Sequence, residues 1–136
     1  MTEEGEGVSA AAEWAGVFFA GGLGASLRVL LSGRLEAALV ERLPFAGVLI
    51  VNLLGCLLIG LASAAISASH WRNIVLGGLL GGFTTYSAYA LFTVTLAEGQ
   101  RWGVLTTQLL AHTLGGIVCV WAGLWLGRTL GWAAAS

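Results

Sequence analysis

The residues best suited to chemistry in this chain lie in the stretch 81–89, which reads Gly-Gly-Phe-Thr-Thr-Tyr-Ser-Ala-Tyr. The stretch sits inside a run from Asn73 to Ala97 that carries no charge and is long enough to cross a bilayer. Irregular backbone occurs at membrane depth only where protein or a water-lined cavity covers it. Such interruptions hold ion and substrate sites in transporters. The stretch therefore predicts a broken membrane helix with an ion site at the break.

Within this stretch the side chains are donors and aromatic rings. Tyr86 and Tyr89 are spaced i, i+3 and share a helix face, where the positive edges of their rings can contact an anion. The hydroxyls of Thr85 and Ser87 are further donors. A helix break at Gly81-Gly82 would free carbonyls that can hold a cation. The alternative is a pair of packing tyrosines beside hydroxyls bonded back to the helix.

Three other predicted spans each contribute polar side chains. Arg28 is the only charge within a predicted span, either a fixed charge that draws anions into a vestibule or a side chain that snorkels to the interface. Asn52 offers amide donors to an anion or a hydrogen bond between helices. Gln108 and His112 are spaced i, i+4 on one face, and His112 is a proton-relay candidate or, more commonly, a hydrogen-bonding partner.

Carboxylates are missing from the middle of every predicted span, since Glu13 and Glu98 both fall near span ends. The polar groups inside the membrane are then almost all donors or neutral groups. This inventory disfavours cation transport and proton coupling through a carboxylate. It suits a small, strongly hydrated anion, whose lost water shell must be replaced by close donors.

These residues must be positioned by membrane helices, because 57% of the 136 residues are hydrophobic and only 10% are charged. A soluble domain carries about 25% charged residues. We predict an all-α membrane protein with four transmembrane helices in residues 12–128, between an acidic tail at 1–11 and a C-terminal tail at 129–136. The predicted helices cover about 12–32, 44–66, 73–97 and 103–127, with Pro44 in the first turn of the second.

The arginines outside the spans are divided almost equally between the two sides of the membrane. Arg34, Arg42 and Arg101 are predicted on one side, and Arg72 and Arg128 on the other. So small a bias under the positive-inside rule favours insertion in both orientations. Short loops leave no room for a soluble catalytic domain, and no basic patch is available for nucleic acid, so we expect neither an enzyme nor a nucleic-acid-binding protein.

Three motifs, in order along the chain, resemble those of the Fluc/CrcB family of fluoride channels. Residues 21–28, Gly-Gly-Leu-Gly-Ala-Ser-Leu-Arg, are similar to the family's GGxGAxxR, and residues 52–55, Asn-Leu-Leu-Gly, to its NLxG. Residues 81–89 are similar to its GGxTTFSTF. The resemblance extends from about Phe18 to Leu126.

The resemblance implies passive fluoride export through an antiparallel, dual-topology dimer in the cell's inner (plasma) membrane. It implies a pore lined by Asn52, Tyr86, Tyr89, Thr85, Ser87 and His112, with Arg28 in the vestibule. It also implies a structural sodium ion (Na+) at the dimer centre, held by the backbone carbonyls of Gly81 and Thr84. The implied partners are fluoride, sodium, the lipid bilayer and a second chain.

This sequence departs from the family pattern at several positions. Tyrosine replaces the usual phenylalanine at residues 86 and 89, Ala88 and Val48 replace threonines, and His112 stands where asparagine is common. Because of these departures, the second chain can be an identical copy or a divergent partner of a heterodimer, in which this chain is the non-conducting half. A further alternative is a four-helix drug/proton antiporter, which needs a membrane-embedded glutamate in the first helix, where this chain offers only Glu13.

Overall fold

The computed structural model describes residues 8–39 and 45–132, and all its regular elements within these ranges are helical. The elements are α1 (Ala10–Leu39), α2 (Ala46–Ala65), α3 (Ser69–Arg72), a π-helix (Asn73–Leu80), α4 (Gly81–Phe83), α5 (Tyr86–Glu98) and α6 (Trp102–Thr129). The elements from α3 to α5 form one composite span, Ser69–Glu98. With α1, α2 and α6 it gives the four described helices that are long and apolar enough to cross a membrane.

The first helix is longer than the predicted 12–32, because α1 continues to Leu39. Arg34 was predicted in a loop, but it lies in this helical extension and is exposed. Glu36, which is half-buried, lies in the same extension. Residues 33–39 contain arginine, glutamate, leucine and alanine, which are good helix formers. Helix propensity therefore carries α1 beyond the apolar segment. Arg42 and Pro44 lie outside the described residues.

The third span also starts earlier than predicted, at Ser69 instead of residue 73. Arg72 therefore lies in a helix and not in the loop where it was predicted. Its Nη1 atom donates to the carbonyl oxygens of Ile66 (2.9 Å) and Ser63 (3.4 Å) at the end of α2. These carbonyls have no helical donor of their own, so Arg72 caps α2. Arg128 lies in the last turn of α6 and not beyond it.

Helix α2 is at the centre of the bundle and packs most extensively against α6, while α1 packs against the π-helix, α4 and α2. Two glycines allow the close crossing of α2 and α6. A Cβ atom added to Gly60 would strike the carbonyl oxygen of Val120, and one added to Gly123 would strike that of Leu57. Small residues at such crossings let helix backbones approach in lipid, where no hydrophobic force draws helices together.

The third span is bent, as predicted, but the break is not at the glycine pair. Gly81 and Gly82 both have helical backbones within α4, and the chain becomes extended only at Thr84 (φ −89°, ψ 160°) and Thr85 (φ −146°, ψ 113°). The glycines are needed for another reason: a Cβ on Gly82 would strike the carbonyl oxygen of Gly21 in α1. The pair therefore permits close packing, and the break begins at Thr84, two residues after Gly82.

The second half of the third span is only lightly packed within the chain. Helix α5 contacts α6 and makes few contacts with α2. Large apolar side chains are exposed along the outside of all four spans, among them Phe18, Phe19, Leu91, Ile117 and Trp121. An aqueous surface would not tolerate such an apolar covering, and lipid or a partner chain would satisfy it.

Candidate functional site

The break in the third span is held by the side chain of Asn52 from α2. Asn52 Oδ1 accepts a hydrogen bond from the backbone N–H of Thr85 (2.8 Å), and Nδ2 donates to the carbonyl oxygen of Thr85 (3.0 Å). The amide thus pairs with both backbone polar groups of one extended residue, as a neighbouring β-strand would. An amide nitrogen carries two N–H groups, so this clamp leaves the second one for another acceptor.

Thr84 is the first extended residue, and it is anchored on both sides of the break. Its N–H and its Oγ1 both donate to the carbonyl oxygen of Leu80, at 3.0 and 3.1 Å. Its methyl group packs against α2 at Gly55, where an added Cβ would collide with Thr84 Cγ2. The glycine three residues after Asn52 therefore makes room for the break that Asn52 holds.

Thr85 is the N-cap of α5. Its Oγ1 accepts from the backbone N–H of Ala88 (3.2 Å) and lies 3.1 Å from Ser87 Oγ. A threonine in this position satisfies one of the N–H groups that a helix start leaves without a partner. Thr85 is buried and Ser87 is exposed, so the hydroxyl pair leads from the clamp to the open side of α5.

The clamp and the cap remove the usual donors from two backbone carbonyls. In a continuous helix Thr85 N–H would bond Gly81, and Ala88 N–H would bond Thr84. Here the first donates to Asn52 and the second to Thr85 Oγ1. The carbonyl of Gly81, just before the break, and that of Thr84, at the break, therefore keep free acceptor capacity.

Arg28 reaches the same break from α1. Its Nε donates to the carbonyl oxygen of Gly82 (3.2 Å), and the residue is half-buried. A cation suits this place, because the C-terminal end of the helical segment formed by α3, the π-helix and α4 carries partial negative charge. Arg28 thus interacts with the backbone of the break as well as contributing positive charge near it.

A cavity of about 360 Å³ opens beside the break between α2, α5 and α6. It is lined by Asn52, Gly55, Cys56, Ile59, Thr84, Thr85, Tyr86, Tyr89, His112 and Thr113. None of these described lining residues carries a carboxylate. Five of the predicted pore residues, Asn52, Thr85, Tyr86, Tyr89 and His112, therefore meet at one cavity. Ser87, Arg28 and Gly81 lie outside its lining.

The aromatic side chains form a row across this cavity. The ring centroids of Tyr86 and Tyr89 are 5.6 Å apart, and those of Tyr89 and His112 are 4.7 Å apart. The row ends at Phe45, 6.3 Å from His112 and fully buried at the start of α2. Tyr86, at the other end, is 79% exposed. The row thus leads from the buried interior of the chain to an open face.

Gln108 and Cys56 also contribute to this site, although neither was among the predicted pore residues. Gln108 is fully buried, and its Nε2 donates to Tyr89 O and Thr93 Oγ1, both at 3.0 Å, so it fixes α5 against α6. Cys56 lines the cavity one helical turn after Asn52. The i, i+4 spacing from Asn52 could have indicated Cys56. For the contact of Phe45 with His112 the sequence contains no comparable signal.

Comparison with known proteins gives one consistent result. The family model described as CrcB-like protein, Camphor Resistance (CrcB), matches residues 15–124. A protein of Dichelobacter nodosus is 42% identical over 118 residues, covering 84% of this chain and 95% of its own length. Proteins of Neisseria meningitidis serogroup C and Ligilactobacillus salivarius are 36% and 35% identical, covering 79% of this chain and 88% and 92% of their own lengths. The first two carry the name fluoride-specific ion channel FluC, and the third is named fluoride-specific ion channel FluC 1.

Proposed function

Because this chain belongs to the CrcB family, we propose that it is a fluoride channel that lets fluoride leave the cytoplasm passively through the bacterial inner membrane. The observation that carries the proposal is the cavity at the helix break, where Asn52, Thr85, two tyrosines and His112 converge without a described carboxylate. Passive conduction requires no catalytic step, and the four apolar spans make the chain a multi-pass membrane protein.

The donors at the cavity fit a small anion. The second N–H of the Asn52 amide is free once the first is bonded to Thr85. Tyr86 and Tyr89 contribute ring edges, and Thr85 contributes a hydroxyl group whose hydrogen can rotate toward a ligand, with Ser87 as its hydrogen-bonding neighbour just outside the lining. Fluoride gives up a costly hydration shell, so several close donors must replace it at once.

A sodium ion fits the freed backbone carbonyls of Gly81 and Thr84. Both oxygens have lost their helical donors, and carbonyl oxygen is a ligand that sodium accepts at broken membrane helices. Two carbonyls from one chain do not complete a coordination shell, so the same pair from a second chain is needed. When bound, the ion supplies a fixed positive charge that ties the two broken helices together.

A second chain also fits the surface around the break. Gly81 and Tyr86 are exposed, and a Cβ added to Gly77 meets no described atom within 4 Å. Gly77 and Gly81 form a GxxxG surface that the fold leaves uncovered, whereas Gly78 and Gly82 face α1. Such a surface suits close contact with another helix. With the nearly balanced arginines, it supports an antiparallel, dual-topology dimer of identical or divergent chains.

The position of Glu13 argues against the drug/proton antiporter. Glu13 lies in the first turn of α1, and its Oε1 accepts from Asn73 Nδ2 at 2.6 Å, at the start of the π-helix. The carboxylate therefore sits at the end of the bundle, already paired, and not at the midplane where a coupling glutamate would act.

The decisive test is ion efflux from liposomes that contain only this purified chain. Fluoride efflux far above chloride efflux is expected, with protein-free liposomes as the control. Chloride flux equal to or larger than fluoride flux would refute a fluoride-selective pore. Absence of flux from the lone chain, restored by adding a divergent partner chain, would identify it as the silent half of a heterodimer.

A further inference from the structure

His112 on α6 enters the cavity with one ring nitrogen bonded and the other without a partner. Nδ1 lies 3.1 Å from the backbone carbonyl oxygen of Gln108. Nε2 is buried and has no hydrogen-bond partner among the described residues. The ring packs between Tyr89 and Phe45 at the inner end of the aromatic row. A buried polar atom without a partner is costly, which suggests that it serves a ligand.

The partner of Nδ1 decides which proton the neutral ring carries. A carbonyl oxygen can only accept, so Nδ1 must be the donor in the bond to Gln108. Neutral imidazole has a single N–H, and Nε2 is then left with a lone pair. A lone pair repels an anion. Only the protonated ring, with an N–H on both nitrogens, can donate from Nε2 to an anion.

We propose that His112 is a proton-gated anion ligand of this pore: fluoride is bound beside the imidazole when the ring is protonated, and conduction falls when the ring is neutral. The inference rests on the proposed channel function and adds the regulation of that site. Fluoride and the proton then bind together, and each raises the affinity for the other, as linkage requires.

The groups around His112 leave the anion as the natural partner of the protonated ring. The titratable residues that share the cavity are Cys56 from α2 and Tyr86 and Tyr89 from α5. From α6 itself, Thr113 shares the cavity, and Gln108 one turn earlier has a buried amide oxygen, Oε1, without a partner among the described residues; this oxygen is neutral and carries no charge that could balance the protonated ring. None of the described lining residues is a carboxylate that could hold the positive charge without an anion. His112 contacts Phe45, Tyr89 and Gln108. None of these contacts involves Gly81 or Thr84, whose carbonyls are proposed to hold sodium.

The expected signature is a fluoride current that rises as the pH falls. Histidine is the side chain that ordinarily gains its proton between about pH 5 and 8. Above the midpoint the protonated fraction drops roughly tenfold for each pH unit, and the current should drop with it. Below the midpoint the current should level off. The current rises toward low pH because the ring can bind fluoride only when both of its nitrogens are protonated.

The experiment is fluoride current through the full chain in planar bilayers, with equal pH on both sides, stepped from 5.5 to 8.5. Current is the correct readout, because hydrogen fluoride that crosses the lipid at low pH is neutral and carries no charge. His112→Asn supplies amide donors at every pH and should give a current that varies less than twofold over the range. His70→Asn is the matched control at the other histidine, which packs on Trp71 outside the cavity, and should keep the full pH response.

The outcomes separate the two ideas. A fluoride current in the unchanged chain that varies less than twofold with pH overturns the inference and leaves the channel function standing. A pH response that survives His112→Asn overturns it as well. Absence of fluoride current at every pH contradicts the channel function of the lone chain and the inference together. If His112→Asn does not fold, a second measurement uses the unchanged chain and follows the ¹⁵N NMR signals of the His112 imidazole. Fluoride added at pH 7.5 should shift these signals toward those of the doubly protonated ring. Signals that do not shift overturn the inference.

Discussion

Replacing Asn52 with alanine should both loosen the break in the third span and slow fluoride efflux. The substitution removes the bonds of 2.8 and 3.0 Å to Thr85, whose backbone N–H and carbonyl groups are then left without these partners. Thr85 is only 9% exposed, so its freed backbone groups can regain partners only from water that enters the cavity. An orphaned buried polar group costs about 1–3 kcal/mol, so two cost about 2–6 kcal/mol.

The effect on conduction can be estimated in the same way. A hydrogen bond to a charged group contributes about 1.5–3 kcal/mol, and each 1.4 kcal/mol is a factor of ten, so loss of the amide donor should slow efflux at least tenfold. Asn52→Asp separates the two roles, because it keeps an oxygen for Thr85 N–H but replaces the donor with a negative charge. We expect it to conduct no better than Asn52→Ala, because the new charge repels both the Thr85 carbonyl oxygen and an incoming anion.

The measurement is fluoride efflux from liposomes together with the thermal unfolding temperature in detergent. Asn73→Ala is the matched control, since the other asparagine of the chain pairs with Glu13 at the exposed start of the π-helix. It should leave efflux within twofold of the unchanged protein. The reasoning is refuted if Asn52→Ala, recovered as a folded protein by size-exclusion chromatography, conducts fluoride as fast as the Asn73→Ala control.

Three further substitutions test other parts of the site and the bundle. Arg28→Ala removes both a positive charge and the hydrogen bond to the Gly82 carbonyl, so fluoride efflux should slow severalfold. The slowing should be larger at low than at high ionic strength, because salt screens the charge. An unchanged efflux rate would show that Arg28 does not attract fluoride to the pore. Tyr86→Phe should keep or raise the single-channel conductance, since the ring edge remains; complete loss would show that the phenol oxygen itself is used. Gly123→Ala forces a methyl group against the Leu57 carbonyl and should destabilise the α2–α6 crossing by about 1–3 kcal/mol. An unfolding temperature in detergent that does not fall would contradict this account of the crossing.

The number of spans could be predicted from the sequence because charge-free runs report directly on lipid exposure. The ends of the spans could not, because Arg34 and Arg72 are compatible with a helix that continues past the apolar core. Arg72 extends the third span by capping α2, a contact that no local pattern reveals. The π-helix at Asn73–Leu80 likewise has no signal in its sequence beyond two glycines.

The location of the break shows a second limit of sequence reasoning. Gly81-Gly82 is the most flexible dipeptide of the stretch, so propensity favours a break there. The structure keeps this pair helical because Gly82 lies against the backbone of α1, and it moves the break to the residue that Asn52 can bind. The bend does fall within the predicted stretch, but the contact that shapes it comes from a residue 33 positions earlier in the chain.

Because Asn52 belongs to α2, the bend of the third span depends on tertiary contact and not on its own sequence. An isolated peptide covering 69–98 would be driven toward an unbroken rod in lipid, where each unpaired backbone group costs several kcal/mol. During membrane insertion α2 precedes this segment, so the amide that templates the kink is already in place when the segment emerges. In a circularly permuted chain in which α2 follows the third span, that span would first form a continuous helix. This helix would have to break at Thr84 and Thr85 before the site could form.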